Sequence, residues 1–360
     1  MSILKLRLLN VGHGDCILIQ FPDESWAIID CGEQIYPYAP HDEVASFLAN
    51  EQPKDAPIRF VLATHPDADH DGGILPLLQL IPRKIHAVYY SGVERRRISH
   101  GGVSEEDDEY SFVKEAKRRE KNGAIRRCSA LKSQDIIDLD DPPLKDVHIQ
   151  ALWPTTDLVD RAKESPNLGQ QHKLRNNVSV VLKIKYANCS IILPGDIEDE
   201  VIQNIFQGLK GDSLNVIKAP HHGGRSSILP WDIITDGKGE KYVLISCPSY
   251  SQKHPSKEFL SSIPTKDRMW KIRCTGISST CEDNQEPSFW PLPPEDSSFL
   301  PRGILQHEST RRSFLSIGRK GRTTKLAEHP ECCLYDEITI DDNSEIKHAE
   351  VLRVCDNRSE

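Results

Sequence analysis

The stretch Thr64-His65-Pro66-Asp67-Ala68-Asp69-His70 places four side chains that can bind metal within six residues. It directly follows Ile58 to Ala63, a continuous apolar run that is typical of a strand covered on both faces. A loop that leaves such a strand can fold around a metal ion, and imidazole together with carboxylate suits Zn²⁺, Mn²⁺ or iron. The metal ligands that we predict from this stretch are His65, Asp67, Asp69 and His70.

Two later segments also end an apolar strand with residues that can bind metal. Ile191-Ile192-Leu193-Pro194-Gly195-Asp196 delivers one carboxylate, which by itself would indicate a helix N-cap. Ala219-Pro220-His221-His222-Gly223-Gly224 follows a further strand, and its glycines allow the backbone a close approach to a metal or a phosphate. Together with the first stretch, these segments predict a two-metal site that Asp196 bridges and that His221 completes.

The composition is that of an ordinary globular protein. Of the 360 residues, 38% are hydrophobic and 28% are charged. The net charge of -9 at pH 7 does not indicate a binder of polyanions, and we interpret the arginine clusters as solvated surface. No apolar run reaches the roughly 18 residues of a membrane span, and the N-terminus lacks a secretory signal. We therefore predict a cytoplasmic protein with no membrane partner.

Strands and helices interleave from residue 4 to about 272 in two similar halves, which predicts an α/β fold. We expect one charged helix over residues 104–122, with a capping box that begins at Ser104. Residues 157–174 are polar and predict a loop over the site. Residues 282–302 are rich in proline and acidic residues, which indicates a linker or a long loop. Residues 314–317 and 337–340 are expected to be strands of a small C-terminal element.

The ten cysteines are expected to be reduced or bound to metal rather than paired in disulfides. A structural zinc site in the tail is one interpretation of its cysteines and histidine, although a zinc ribbon would place two residues between paired cysteines. The favoured alternative is free cysteines packed in a small core. The residues concerned are Cys274, Cys281, His329, Cys332 and Cys333.

Taken together, the metal-binding segments resemble the metallo-β-lactamase superfamily, and in particular its ComEC-like branch. Four further segments carry the resemblance in the order of the family: Asn10-Val11-Gly12-His13-Gly14-Asp15 is similar to V-G-Q-G-D, Ile28-Ile29-Asp30-Cys31-Gly32 to I-D-x-G, Asn176-Asn177-Val178-Ser179 to N-N-x-S, and His254-Pro255-Ser256 to H-P-S. The resemblance implies a four-layer αββα sandwich. This fold would form a hydrolase domain over residues 1–275. Residues 276–360 would form a linker and a small C-terminal extension of unknown role.

Two departures from the superfamily pattern, both typical of this branch, change the expected chemistry. Asp67 replaces the second histidine of H-x-H-x-D-H, and Asn176 and Asn177 hold the place of the third. The carboxylates of Asp67, Asp69 and Asp196 would then face two divalent ions, and a bridging hydroxide would make the core about neutral. Oxygen ligands shift the preference toward harder ions such as Mn²⁺. We expect two ions, and the choice between Zn²⁺ and Mn²⁺ stays open.

The resemblance implies hydrolysis by a water molecule that the metal activates. Asp69, His222 and His254 form the expected catalytic set. Either His254 or whichever of His221 and His222 does not bind metal would donate a proton to the leaving group. Asp30 is expected to orient a ligand, with a turn-forming role as an equal alternative. The residues expected around the ligands or at the substrate are Asp15, Asp30, Asn176, Asn177, Arg225 and Ser226.

The leading functional prediction is a stand-alone binuclear phosphodiesterase or nuclease that acts on a phosphate ester, with nucleic acid or a nucleotide as candidates. Hydrolysis of a carbon ester, an amide or a thioester is the alternative within the superfamily. A third interpretation is a non-catalytic binding or effector module that works with partner proteins encoded nearby, as the presence of this branch in bacterial defence operons implies. So many buried carboxylates and histidines argue against that module, because burying them is costly without a bound ion.

Overall fold

The computed structural model describes residues 2–352 except for 12–13, 34–38, 51–52, 54, 82, 95–110, 138, 140–143, 145, 166–170, 247–253 and 276–333. The strands, in chain order, are β1 (Ile3–Leu9), β2 (Ile17–Gln20), β3 (Trp26–Ile29), β4 (Ile58–Ala63), β5 (Ile85–Tyr90), β6 (Arg127–Ala130), β7 (Val147–Trp153), β8 (Val181–Tyr186), β9 (Cys189–Leu193), β10 (Ser213–Leu214), β11 (Val216–Lys218), β12 (Thr235–Asp236), β13 (Lys241–Ile245), β14 (Trp270–Cys274), β15 (Leu334–Asp341) and β16 (Ile346–Leu352).

The helices, in chain order, are α1 (Pro40–Asn50), α2 (Ala68–Asp71), α3 (Ile74–Leu80), α4 (Phe112–Lys121), α5 (Thr156–Glu164), α6 (His172–Asn177), α7 (Asp199–Gly208) and α8 (Lys257–Ser262). Short 3-10 turns at Pro220–Gly223 and Arg225–Ser227 follow β11. Among the described residues, none of the helices combines the length and the apolar character that crossing a bilayer requires.

Two large sheets form the centre of the fold. The first has eight strands in the order β16-β15-β1-β2-β3-β4-β5-β6, and the second has six in the order β14-β13-β11-β9-β8-β7. Strands β3 to β6 run parallel to one another, as do β9, β11, β13 and β14. Parallel neighbours require crossover connections, and in this chain the crossovers supply the helices of the outer layers.

Three hydrophobic clusters account for the layering. The first lies between the sheets, where Phe60 of the first sheet and Ile191 of the second belong to the same buried cluster. The second lies between the first sheet and helices α1, α3 and α4, and the third lies between the second sheet and helices α7 and α8. Since β4 and β9 are buried at every position, both strands are covered on both faces. The predicted αββα sandwich is thus confirmed.

Two local predictions differ from the structure. Helix α4 begins at Phe112 because the side chain of Ser111 accepts a hydrogen bond from the backbone N–H of Lys114, whereas the predicted cap at Ser104 lies outside the described residues. The predicted loop over residues 157–174 is wrong, since most of its described part belongs to α5 and α6. Val159 and Ala162 of α5 are buried, so one apolar face is sufficient to fold this polar segment as a helix.

The C-terminal strands complete the first sheet. Strand β15 pairs antiparallel with β1 over seven residue pairs, from Ile3 with Asp341 to Leu9 with Tyr335. The side chains of Ile338 and Ile340 are fully buried in the cluster between the sheets. Residues 337–340 therefore form a strand as predicted, but this strand belongs to the main sheet. The boundary at residue 275 stays a prediction.

Several predictions for the C-terminal region concern residues that are not described. The linker over residues 282–302 and the strand over residues 314–317 lie outside the described part of the chain. So do Cys281, His329, Cys332 and Cys333 of the candidate zinc site, whereas Cys274 is buried at the end of β14.

Replacing Ile338 with alanine tests the structural role of the C-terminal hairpin. Because this side chain is fully buried between the sheets, Ile338→Ala is expected to lower the free energy of unfolding by about 2–5 kcal/mol. The matched control is Ile136→Ala, since Ile136 is 73% exposed and its loss is expected to change stability by less than about 0.5 kcal/mol. Urea unfolding measures both values. If both variants changed the free energy of unfolding by the same small amount, the packing of β15 in the core would be contradicted.

Candidate metal centre

Two carboxylates and two imidazoles converge where β4, β9 and β11 end. One ligand atom from each of Asp69, His70, Asp196 and His222 lies within 4.8 Å of the other three. His70 Nε2 is 3.3 Å from Asp196 Oδ2, and His222 Nε2 is 3.4 Å from the same oxygen and 3.6 Å from Asp69 Oδ2. Four ligands about 2.1 Å from a tetrahedral ion would be about 3.4 Å apart. The four residues, called the ligand cluster below, therefore fit a divalent metal ion.

Short connections after three strands position the ligand cluster. Helix α2 follows β4 and carries Asp69 and His70, Asp196 lies in the turn after β9, and His222 lies in the 3-10 turn after β11. Two glycines allow close packing around the segments that carry Asp69 and Asp196. A Cβ atom on Gly14 would lie 2.0 Å from the backbone oxygen of Asp69, and one on Gly195 would lie 2.7 Å from Ser179 Cβ. Both glycines have positive φ angles, which other residues rarely adopt.

Asp30 orients His70. Its Oδ2 lies 2.8 Å from His70 Nδ1, and its two oxygens accept hydrogen bonds of 2.7 Å from the backbone N–H and the hydroxyl of Thr64. The carboxylate can only accept, so we assign the proton of His70 to Nδ1. This leaves the lone pair of Nε2 toward the ligand cluster. Such a contact from a carboxylate to the far nitrogen of a ligating histidine is usual in metal sites.

Contacts at Nδ1 also orient the imidazoles of His222 and His65. His222 Nδ1 lies 3.0 Å from the backbone oxygen of Ser246, so this nitrogen donates and Nε2 faces the ligand cluster. His65 Nδ1 lies 3.1 Å from the hydroxyl of Thr64, which already donates to Asp30 and therefore accepts from His65. The buried Nε2 of His65 makes no hydrogen bond within the described part of the chain. The His65 and His70 ring centroids are 4.2 Å apart, so His65 borders the ligand cluster.

Negative charge exceeds positive charge around these ligands. The side chains of Asp15, Asp30 and Asp196 are buried, and that of Asp69 is 19% exposed. The ammonium group of Lys218 lies 2.5 Å from Asp15 Oδ2 and 3.5 Å from Asp196 Oδ1. One ammonium group balances one of four carboxylates. A divalent cation would balance two more, and this electrostatic deficit is a second reason why the site fits a metal ion.

The same charge excess changes the proton affinity of the histidines. Burial lowers the pKa of His70, but Asp196, Asp30 and Asp69 raise it well above the usual value. Burial also lowers the pKa of His222, whereas mainly Asp196 raises it, to a final value of about 9. Without metal, both imidazoles are thus positively charged at pH 7. Burial, followed by the charge of His70, lowers the pKa of His65 to about 3, which keeps that imidazole neutral.

His221 and His222 occupy positions opposite to those expected from the sequence. His222, expected to donate a proton, contributes to the ligand cluster. His221, expected to bind metal, lies outside it, with Nδ1 3.4 Å from Glu198 Oε1 and its ring 5.2 Å from that of His254. Both histidines have left-handed backbone angles, with φ of 43° and 53°. This twist sends the two successive side chains in different directions, which a sequence pattern does not reveal.

Asp67, predicted as a ligand, also lies outside the ligand cluster. Its two oxygens form an ion pair with Arg175 of α6, which contacts Oδ1 through Nε and donates to Oδ2 through a terminal nitrogen at 3.1 Å. The Nε2 atom of His65 lies 3.9 Å from Asp67 Oδ2. Asp67 thus remains beside the site, but its carboxylate is held by a guanidinium group.

The N-N-x-S segment supports the turn that carries Asp196. Asn176 donates to Glu198 Oε1 at 2.6 Å, and the side-chain oxygen of Asn177 accepts from the backbone N–H of Glu198 at 2.8 Å. The Ser179 hydroxyl accepts from the backbone N–H of Asp196 at 3.0 Å. The two asparagines therefore fix the backbone behind a ligand.

The predicted phosphate-binding residues lie toward the surface. The side chain of Arg225 is 79% exposed and forms an ion pair with Glu258 of α8. Ser226 lies in the same 3-10 turn and is partly exposed. His254 lies closer to the ligands, with its ring centroid 6.1 Å from that of His222.

Five residues that hold the site were not singled out in the sequence. Thr64, Ser179 and Lys218 each stand within or beside a quoted motif, so their neighbours were the available signal. Arg175 also stands beside a quoted motif, but its partner Asp67 is 108 residues away, and Ser246 had no such signal. Ser246 connects two loops, since its backbone oxygen contacts His222 and its hydroxyl donates to the backbone oxygen of Gly14 at 2.5 Å.

Comparisons with known proteins identify one family. A family model described as the Metallo-beta-lactamase superfamily matches residues 9–208, more than half of the chain. ComE operon protein 3 of Bacillus subtilis (strain 168) is 26% identical over 320 residues, which are 82% of this chain and 35% of that protein. The chain thus spans about a third of the length of this relative. The resemblance to the superfamily is confirmed, and this relative is consistent with the ComEC-like branch.

Two solved structures are among those similar to the chain. A protein from Parabacteroides distasonis, described as a metal-dependent hydrolase, is 14% identical with a TM-score of 0.40, over 75% of this chain and 93% of its own. A protein from Thermotoga maritima, described as a zinc-dependent hydrolase of the same superfamily, is 10% identical with a TM-score of 0.36, over 75% and 98%. At these TM-scores, neither structure bears on the activity of this chain.

Adjacent histidines provide a matched test of the ligand cluster. We expect His222→Ala to weaken Mn²⁺ or Zn²⁺ binding by more than about tenfold, because it removes one of the four converging ligand atoms. His221→Ala removes the same kind of side chain from outside the cluster and should leave the affinity within about threefold. Titration calorimetry on metal-free protein measures both. The opposite ranking would show that His221 is the ligand.

Metal binding is expected to depend on pH through the proton on His222. Since its pKa is about 9, a metal ion must displace this proton at neutral pH, and protonated His70 adds to the effect. The apparent affinity should rise about tenfold per pH unit for each displaced proton between pH 6 and 8. Calorimetry in two buffers that differ in ionisation enthalpy counts the protons released. An affinity that does not change with pH would contradict the proposed charge balance.

Proposed function

Because this chain belongs to the metallo-β-lactamase superfamily of metal-dependent hydrolases, we propose that it hydrolyses phosphate esters as a phosphodiesterase or nuclease. One observation carries the proposal: two carboxylates and two imidazoles converge at distances that suit a single divalent ion. The resemblance to the ComEC-like branch favours phosphate esters over carbon esters.

A bound divalent ion would lower the pKa of a water molecule and stabilise negative charge on the group under attack. The residues of this chain prepare the site for that chemistry. Asp30 and the backbone of Ser246 hold His70 and His222 with Nε2 facing inward. Burial raises the pKa of Asp196, but His70, His222 and Lys218 lower it well below the usual value, so its carboxylate stays ionised and able to bind the ion. Since the ligands are oriented in advance, binding requires little rearrangement.

A histidine pair beside the ligand cluster is the source of a proton for the leaving group. The rings of His221 and His254 are 5.2 Å apart, and the His221 side chain is 26% exposed at the edge of the site. His222 cannot serve as the donor while it binds metal. We therefore assign proton donation to His254, with His221 and Glu198 beside it.

The ion is proposed to be Zn²⁺ or Mn²⁺, because two carboxylate oxygens and two imidazole nitrogens suit either. The second ion expected from the sequence would depend on His65 and Asp67. Nucleic acid or a nucleotide is the proposed class of substrate, and partner proteins encoded nearby remain a proposal from the resemblance.

Activity assays with matched variants test this function. Metal-free protein is loaded with Mn²⁺ or Zn²⁺ and assayed on bis-p-nitrophenyl phosphate, single-stranded DNA, RNA and cyclic dinucleotides, with a carbon ester and a thioester as comparisons. Asp69→Asn and Asp196→Asn are expected to lower phosphodiester turnover by about 100-fold or more, because each removes a charged ligand. The control is Asp232→Asn, which neutralises an exposed carboxylate elsewhere and should retain activity.

The alternatives give different results in the same assays. Turnover of the carbon ester or thioester without phosphodiester cleavage would favour the second enzymatic interpretation. Metal binding without turnover of any substrate would favour a binding or effector module. Full activity in both ligand variants would show that the site assignment is wrong.

A further inference from the structure

A guanidinium group holds Asp67, a predicted metal ligand that lies outside the ligand cluster. Asp67 replaces the second histidine of the family motif, and both of its carboxylate oxygens contact Arg175. One of these contacts is a hydrogen bond, from a terminal nitrogen to Oδ2 at 3.1 Å, and the other is a close ion-pair contact of Nε with Oδ1. The pair is largely buried, since the Arg175 and Asp67 side chains are 15% and 18% exposed. An ion that bound Asp67 would have to displace this contact.

The position of Arg175 in the chain strengthens this interpretation. It directly precedes Asn176 and Asn177, which hold the place of the third histidine in the superfamily pattern. Both asparagine side chains face Glu198 through hydrogen bonds of 2.6 and 2.8 Å. Helix α6 therefore offers a cation to the site directly before the place where the superfamily pattern has a metal-binding imidazole.

The ligand cluster and the surroundings of Asp67 differ in their balance of charge. The carboxylates of Asp15, Asp30, Asp69 and Asp196 face one ammonium group from Lys218, so the ligand cluster has a deficit that a divalent ion can fill. Beside it, Asp67 is already balanced by Arg175, and His65 supplies one neutral nitrogen. A second divalent ion would gain little from a balanced pair and would be repelled by the guanidinium group.

We propose that Arg175 takes the place of the second metal ion, so that the chain binds one divalent ion and keeps a fixed positive charge beside it. This inference rests on the proposed metal-dependent function but concerns the number of ions rather than the substrate. It makes Arg175 a positioning residue that holds Asp67 away from the ion. It also replaces the two-ion expectation from the sequence with a site of one ion and one arginine.

Metal counting tests the proposal independently of activity. Full-length protein is titrated with Mn²⁺ by calorimetry, and bound Mn²⁺ is examined by electron paramagnetic resonance, in which a pair of neighbouring ions gives a coupled spectrum. Wild-type protein is expected to bind one ion with an uncoupled spectrum. Arg175→His, which removes the cation and offers an imidazole from the same position, is expected to bind two ions with a coupled spectrum.

Two control variants separate the role of Arg175 from general effects. Arg175→Lys keeps the positive charge and should still bind one ion. Lys173→Ala removes a neighbouring cation of the same helix, 60% exposed and paired with Asp199, and should also bind one ion. Circular dichroism checks that each variant is folded, and Arg175→Ala, expected to gain a weak second ion, replaces Arg175→His if that variant does not fold.

The outcomes distinguish this inference from the proposed function. Two ions in wild-type protein, one of them lost in Asp67→Asn, would overturn the inference and leave metal-dependent hydrolysis intact. One ion in wild-type protein and still one in both Arg175→His and Arg175→Ala would also overturn it. No bound ion in wild-type protein would overturn the inference and the proposed function together.

Discussion

Buried negative charge is the constraint on which the rest of the site depends. Carboxylates from four separate segments meet at one edge of the two sheets, where three of them are buried and each buried charge would be costly without compensation. The fold answers with one ammonium group, two imidazoles of raised pKa and a set of hydrogen bonds from backbone and hydroxyl groups. These groups offset only part of the charge. A divalent ion that displaced the protons of the two imidazoles would balance the same negative charge.

The supporting residues explain why the motifs extend beyond the ligands themselves. Thr64 serves two residues at once, since it donates to Asp30 and accepts from His65. Ser179 joins two segments through its hydroxyl group, and Ser246 joins two loops through its hydroxyl group and its backbone oxygen. Because every ligand is fixed through such contacts, a change in a supporting residue alters ligand orientation without removing a ligand. Substitutions of these supporting residues are thus expected to change metal affinity more than they change the stability of the fold.

Local features made much of the fold predictable from the sequence. Strand β4 and the ligand segment after it are contiguous, so apolar character and residue type were enough to identify both. The layered architecture followed from the alternation of strands and helices. The role of α5 was missed because its polar residues conceal a narrow apolar face formed by Val159 and Ala162.

The remaining features depend on contacts that a sequence pattern does not contain. Asp67 and Arg175 are 108 residues apart, and nothing near Asp67 indicates its partner. The choice between His221 and His222 depends on two left-handed backbone angles and on the backbone oxygen of Ser246, 24 residues beyond His222. Residue types therefore predicted which groups are present at the site, whereas tertiary contacts determine which of them face an ion.

The pairing of β1 with β15 has a consequence for how the protein folds. Arg7 and Glu337, which form an ion pair across these strands, are 330 residues apart. During synthesis from the N-terminus, β1 pairs with β2 on one side and leaves its other edge open until β15 has been made. An open strand edge attracts strands of other chains, so the nascent protein passes through a long interval in which it is prone to aggregate. Once β15 and β16 have been made, β15 pairs with β1 and covers its open edge, which ends that interval.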